Sequence, residues 1–200
     1  MSQFCGLCDV MACTDGDAER YPSACPSRNT CVTDALEQYR DETDLRIAQS
    51  AALTECEGYC RLTRLEETVL FFKKLGCSRI GIAYCGGLKQ EMKVVGKVFS
   101  HHKLDIYPVI CKCGGVPKEE IGMSDERGKV RPGSFEAMCN PIGQAAYLND
   151  MKTEYNVLLG LCVGHDSLFL RHSDAPVTVL AVKDRVCGHA PLTPVYQSEG

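Results

Sequence analysis

Between positions 79 and 184 the chain alternates short, almost unbroken apolar runs with longer amphipathic ones. The runs "RIGIAYC" (79–85), "LDIYPVIC" (104–111), "YNVLLGLC" (155–162) and "APVTVLAVKD" (175–184) have strand length and are apolar on both sides. That pattern marks strands covered on both faces, not strands with one face in water. Between them, "LKQEMKVVGKVF" (88–99) places Leu88, Met92, Val95 and Phe99 on one helical face. "NPIGQAAYLNDM" (140–151) reads as a helix with Pro141 in its first turn, and "HDSLFLRH" (165–172) as a short one. Strand and helix in alternation predict an α/β fold, a Rossmann-like parallel sheet with helices on both faces.

Upstream the pattern is helical. Residues 34–60 read as one long helix with Leu45, Ala48, Ala52 and Tyr59 on one stripe. A second helix opens with Thr63 and Glu66 in capping-box spacing and stops at Gly76. Residues 1–33 show almost no apolar periodicity and cannot bury enough surface to fold unaided. The expected organisation is therefore a Cys-rich metal-binding segment (1–33) followed by an α/β domain (34–200). One stretch breaks the alternation: Cys113 to Cys139 is rich in Gly, Pro and charge and far longer than an ordinary strand-to-helix connection. It is expected to cover whatever sits at the strand ends.

Composition sharpens this picture at one residue type. Fourteen of the 200 residues are cysteine. The start "MSQFCGLCDV" lacks the charged-then-apolar layout of a secretory signal, so the expected compartment is the cytoplasm, where thiols stay free and a surplus points to metal or catalysis. Cys56, Cys60 and Cys77 are expected to be small buried hydrophobes. No apolar run is long enough to span a bilayer. A net charge of −4 with acids and bases interspersed gives no electrostatic case for nucleic acid or anionic membrane.

Each predicted strand runs into a cysteine or is closely followed by one: Cys85, then Cys111 and Cys113, then Cys162, then Cys187; Cys139 precedes the helix at Pro141. A parallel sheet collects its strand C-termini along one edge, where ligands bind, so these thiols are expected to converge. Cysteine-only supply with neighbouring glycines ("CGG" at 85–87 and 113–115) suits an iron–sulfur cluster of the 4Fe-4S type. Zinc is the rival, because His165 and His189 lie within three residues of Cys162 and Cys187. Within "VICKCGG" an extended backbone would turn Cys111 and Cys113 to one side. Cys113 is then the expected ligand, because the glycines follow it directly, and Cys111 its substitute. Asp166, Lys183, Asp184 and Arg185, with His165 and His189, are the candidates for moving protons or binding an anion there. The N-terminal Cys5, Cys8, Cys13 and Cys25 form a second expected metal set, with Cys31 spare. Cys-x2-Cys is a good chelate, and a fourth cysteine followed by proline is similar to bacterial ferredoxins, although the x4 spacing departs from them. Iron–sulfur and zinc both stand at this set.

The blocks "AYCGGL", "CKCGG", "FEAMCNPIGQA", "GLCVGHDSLF" and "APVTVLAVKDRVCGH", with "CGLCDVMAC" and "CEGYCRLTRLEE" upstream, resemble a cysteine-rich family of bacteria and archaea. That family has no assigned function and is usually labelled "metal-binding protein". The resemblance implies a metal or iron–sulfur role and no established reaction. It matches Cys5, Cys8, Cys13 and Cys25 to the family's N-terminal set and Cys85, Cys113, Cys139, Cys162 and His165 to its strand-end blocks. The family usually reads "GHNP" where this chain has "GHAP" at 188–191, and the thiol at Cys187 is less typical of it. The expected function is a cytoplasmic iron–sulfur protein serving redox or small-substrate chemistry, with an electron-transfer protein or a small molecule as partner. The alternatives are a non-catalytic zinc protein and a thiol-based sulfur-transfer or redox protein.

Overall fold

The computed structural model describes residues 5–197. The outermost ends, including the first four positions of the cysteine-rich segment, lie outside the described residues. The chain divides into two compact units, Met1–Leu53 and Thr54–Gly200.

The first unit is built of short turns: 3-10 turns at Cys5–Leu7, Ala18–Arg20 and Pro26–Arg28, with helices α1 (Ala12–Asp15) and α2 (Thr30–Asp34). The expected helix from position 34 is interrupted. A 3-10 segment covers Ala35–Arg40, and helix α3 (Glu42–Gly58) starts afresh, because Asp41 accepts the N–H groups of Thr43 and Asp44 at 2.9 and 3.1 Å. The buried positions of α3 are Ser50, Thr54 and Gly58, four apart, while Leu45 and Tyr59 of the predicted stripe are exposed. At Gly58 the space is taken by a side chain: a Cβ there would meet the Glu67 carboxylate at 3.1 Å.

The second unit holds a four-stranded, all-parallel sheet: β1 (Arg79–Tyr84), β2 (Asp105–Ile110), β3 (Tyr155–Leu159) and β4 (Val177–Ala181), in the order β2-β1-β3-β4. Helices α4 (Arg64–Leu75), α5 (Lys89–His101), α6 (Pro141–Asp150) and α7 (His165–His172) cover it, and α8 (Thr193–Gln197) follows. This is the Rossmann-like α/β arrangement that the alternating runs predict. The capping box is present: Glu66 accepts the Thr63 N–H at 2.7 Å, and the Thr63 hydroxyl accepts the Glu66 N–H at 3.4 Å. Gly76 closes α4 at a φ of 76°, in the left-handed region where glycine carries no Cβ penalty.

Alternation along the strands sorts the core into two layers. On one face lie Ile80, Ile82 and Val157, with Phe72 of α4 stacked edge-on against Phe99 of α5 and Tyr155. The other face carries Ala83, Val109, Leu158, Val177 and Val179 against Ala145 and Leu148 of α6 and Phe169 of α7. Beneath that second layer, Asn156 is fully buried in the sheet, accepting from Thr153 and donating to Ser173, each at 2.8 Å.

Strand order fixes where the chemistry sits. From β1 the chain moves outward to β2, then crosses back over β1 to reach β3. The direction of winding therefore reverses between β1 and β3, and the strand ends there open a crevice. No helix among the described residues is long and apolar enough to cross a membrane.

Candidate functional site

Parallel register places the first two thiols side by side. Ala83 pairs with Val109 and Tyr84 with Ile110, so Cys85 and Cys111 come next, on the face that α6 and α7 cover. The ladder runs on past the strands: Cys111 donates its N–H to Tyr84 at 2.9 Å and Cys85 donates to Leu159 at 3.1 Å. Both thiols are buried, at 7% and 3% exposure for Cys85 and Cys111.

Cys139 arrives from the far end of the long loop. Asn140 pins it there, donating its backbone N–H to the Cys111 carbonyl at 2.7 Å while its side chain accepts the Gly143 N–H at 2.9 Å and so caps α6. The Cys139 and Cys111 sulfurs lie 4.0 Å apart, and the Gly86 N–H donates to the Cys111 sulfur at 3.3 Å. Three cysteines from three chain segments thus form one row, Cys85–Cys111–Cys139.

The row is electrostatically polarised. Cys111, hydrogen-bonded to Cys139 and Cys85 and buried, is pushed far above the usual thiol range. Its hydrogen bond draws Cys85 down to about 5, aided by the Gly87 N–H, Lys183 and Arg185. The same partner draws Cys139 down to about 5, aided by Lys112 and His165. Both shifts bias the outer two sulfurs towards the thiolate, the form that binds metal and attacks electrophiles.

The remaining expected residues take distinct places. Cys162 follows β3, and Arg185 donates to its sulfur at 3.1 Å; the guanidinium also feels the charges of Cys85 and Cys139. Cys113 lies in the turn after β2, its N–H bonded to Ile110 at 3.1 Å and its sulfur 3.8 Å from the Asn140 carbonyl. The strand stops at Ile110, so Cys111 and Cys113 do not share an extended backbone. It is Cys111 that touches both neighbours. Asp184 accepts the N–H groups of Val186 and Cys187, both at 2.8 Å, and its own N–H donates to His189 Nδ1 at 3.1 Å. Asp184 and His189 thus brace the loop that carries Arg185 and Cys187. Asp166 accepts the Ser167 N–H at 2.8 Å in the first turn of α7.

Three contributors escaped the sequence reading: Asn140, Lys112 and Gln144. Asn140 before Pro141 is a recognisable N-cap signal. Lys112 donates its ammonium to the Ala137 carbonyl, tying the two ends of the loop together. Gln144, fully buried, donates to the carbonyls of Tyr84 and Val109 at 3.3 and 2.7 Å, holding the exits of β1 and β2 beneath the thiols. Nothing in the spacing announces that role.

The long loop itself is ordered by charge. Pro117 bridges Ala137, Lys118 pairs with Glu136, and Lys129 pairs with both Glu119 and Asp125.

In the first unit Cys5, Cys8, Cys13 and Cys25 all line one cavity of about 420 Å³, with Tyr21 and Pro22 among its other walls. Arg28 holds the wall in place, donating through Nε to the carbonyls of Tyr21 and Pro22 at 3.0 and 3.1 Å. Cys31, on α2, lies outside that lining. Cys56 and Cys60 are exposed, contrary to the expectation of buried hydrophobes: Cys60 sits beyond the end of α3 with a φ of 53°. Among the described residues no three His, Cys, Asp or Glu side chains already converge on a single-ion position.

Fold and site together define an α/β protein with a parallel sheet and a row of thiols at its switch-point edge. The chain belongs to the family described as "Protein of unknown function (DUF1847)", whose model matches residues 25–180. It is 43% identical over 161 residues to "Uncharacterized protein MJ0455" of Methanocaldococcus jannaschii, covering 80% of this chain and 81% of that protein. No solved structure matches it.

Proposed function

We propose that the protein is an iron–sulfur protein with two thiolate-bound centres, one at the sheet edge and one in the N-terminal unit. The observation that carries the reading is the row Cys85–Cys111–Cys139, three thiols delivered to one edge by separate segments, with two of them drawn down to about 5. A metal would take the place of the proton that Cys111 shares with its neighbours. Cys162 is the fourth ligand in this reading and Cys113 the spare.

Cavity size favours a cluster over zinc in this reading. A structural zinc site wraps four donors tightly round one ion. A cavity of about 420 Å³ lined by four cysteines has room for more than an ion. Bound clusters would supply one-electron chemistry, tuned by hydrogen bonds and charges near the sulfurs. Gly86, Lys183 and Arg185 are placed for that tuning at the sheet edge. The partner is then an electron-transfer protein or a small molecule reduced or activated in the crevice.

Anaerobically purified protein is expected to be brown, with visible absorption that bleaches on chemical reduction and returns on reoxidation. Colourless protein that binds zinc and shows no such cycle sinks the reading.

A further inference from the structure

Lys183 and Arg185 follow β4, and Lys183 is drawn over the exit of β3 by its N–H bond to Leu161 at 3.2 Å. The Lys183 ammonium lies against Gly87: a Cβ built there would meet Nζ at 3.0 Å and the Cys85 sulfur at 3.8 Å. Arg185 reaches the same edge from the Cys162 side, using one nitrogen on that sulfur at 3.1 Å and leaving the rest of its donor fork. Among the described residues neither cation forms an ion pair with a carboxylate. Asp184, between them in sequence, is held by the amides of Val186 and Cys187.

Two cations without carboxylate partners stand at the crevice where the winding reverses, Arg185 with one nitrogen on the Cys162 sulfur and Lys183 beside Gly87, and both keep donors for a further anion. We infer that Lys183 and Arg185 anchor a small oxyanion, carboxylate or phosphate-like, against the turn at Gly87 and beside Cys85 and Cys162. Arg185 supplies planar, forked donors and Lys183 a point charge, the pair of chemistries that grips an oxygen anion from two sides. Gly87 belongs to the site because it lacks a Cβ, which lets the ammonium approach the backbone. The inference takes the sheet edge as the working site of the preceding section and names its substrate class, whichever metal the thiols hold.

The test is anaerobic calorimetric titration of the full chain with inorganic phosphate and, separately, acetate, at fixed ionic strength with chloride as the control anion. Iron is measured in every sample. At least one probe is expected to bind saturably, and Lys183→Gln and Arg185→Gln are each expected to weaken it by about tenfold or more, the loss of a charge-assisted contact. Gly87→Ala, which keeps both charges but crowds the ammonium, is expected to weaken it too. Iron content stays at the wild-type level in all three variants. Absence of saturable binding by the wild type overturns the inference. So does loss of iron from the lysine and arginine variants, which would make retention of the metal, and not anion binding, the task of the two cations. Phosphate or acetate binding by a protein devoid of iron would leave this inference standing while removing the iron–sulfur reading.

Discussion

Replacing Cys111 with serine is expected to strip the sheet-edge centre and, with two like centres per chain, remove about half of the iron. Cys111 is the only one of the edge thiols in contact with both Cys85 and Cys139, at 3% exposure and with the Gly86 N–H on its sulfur. A serine hydroxyl keeps roughly the size and can still donate a hydrogen bond to its neighbours, but it is a poor ligand for iron. Cys113→Ser is expected to retain most of the iron, because that sulfur faces the Asn140 carbonyl. Cys139→Ser should match Cys111→Ser. Iron and sulfide analysis of the three variants decides the matter: full iron in Cys111→Ser with loss in Cys113→Ser would reverse the assignment.

Gly81→Ala is expected to destabilise the second unit by about 3–5 kcal/mol, a large share of the roughly 5–15 kcal/mol that holds an ordinary domain together. Gly81 is the centre of β1, pairing with Tyr107 on one side and Asn156 on the other. A Cβ there would lie 2.0 Å from Asn156 Oδ1 and 2.8 Å from Leu148 Cδ1. Neither neighbour can yield cheaply. Leu148 and Asn156 are both fully buried, and Asn156 is held by Thr153 and Ser173. Making room for the methyl group breaks those buried hydrogen bonds or displaces α6 from the sheet. Denaturant melts followed by circular dichroism measure the loss. A change below about 1 kcal/mol would mean that the sheet relaxes round the added carbon.

Much of this architecture is legible in the sequence because periodicity reports burial. The four apolar runs became the four strands, and Leu88, Met92, Val95 and Phe99 all went into the core as their spacing implies. The gathering of thiols at one edge follows from parallel topology alone, since parallel strands end together. What could not be read is the last residue of a strand. Whether β2 stops at Ile110 or runs on decides which of Cys111 and Cys113 faces the site, and that depends on a turn closed by the Cys113 N–H. The same limit applies at α3, where apolar residues suggested a stripe but Ser50, Thr54 and Gly58 are the buried ones. Ser50, Thr54 and Gly58 are small or polar, and hydrophobic periodicity does not register such buried positions. Asp184 and His189 illustrate a third limit. Their residue types suggest proton transfer, yet the structure engages both in bracing a loop, and only hydrogen-bond partners reveal that.

Cys56 and Cys60 are exposed and belong to neither proposed ligand set.

The most direct test of the central claim is quantification of iron, zinc and acid-labile sulfide in anaerobically purified protein, expressed per chain. Iron and sulfide are expected in equal amounts, enough for two clusters, with little zinc. Zinc without sulfide, or a metal-free chain whose thiols all titrate, would contradict it.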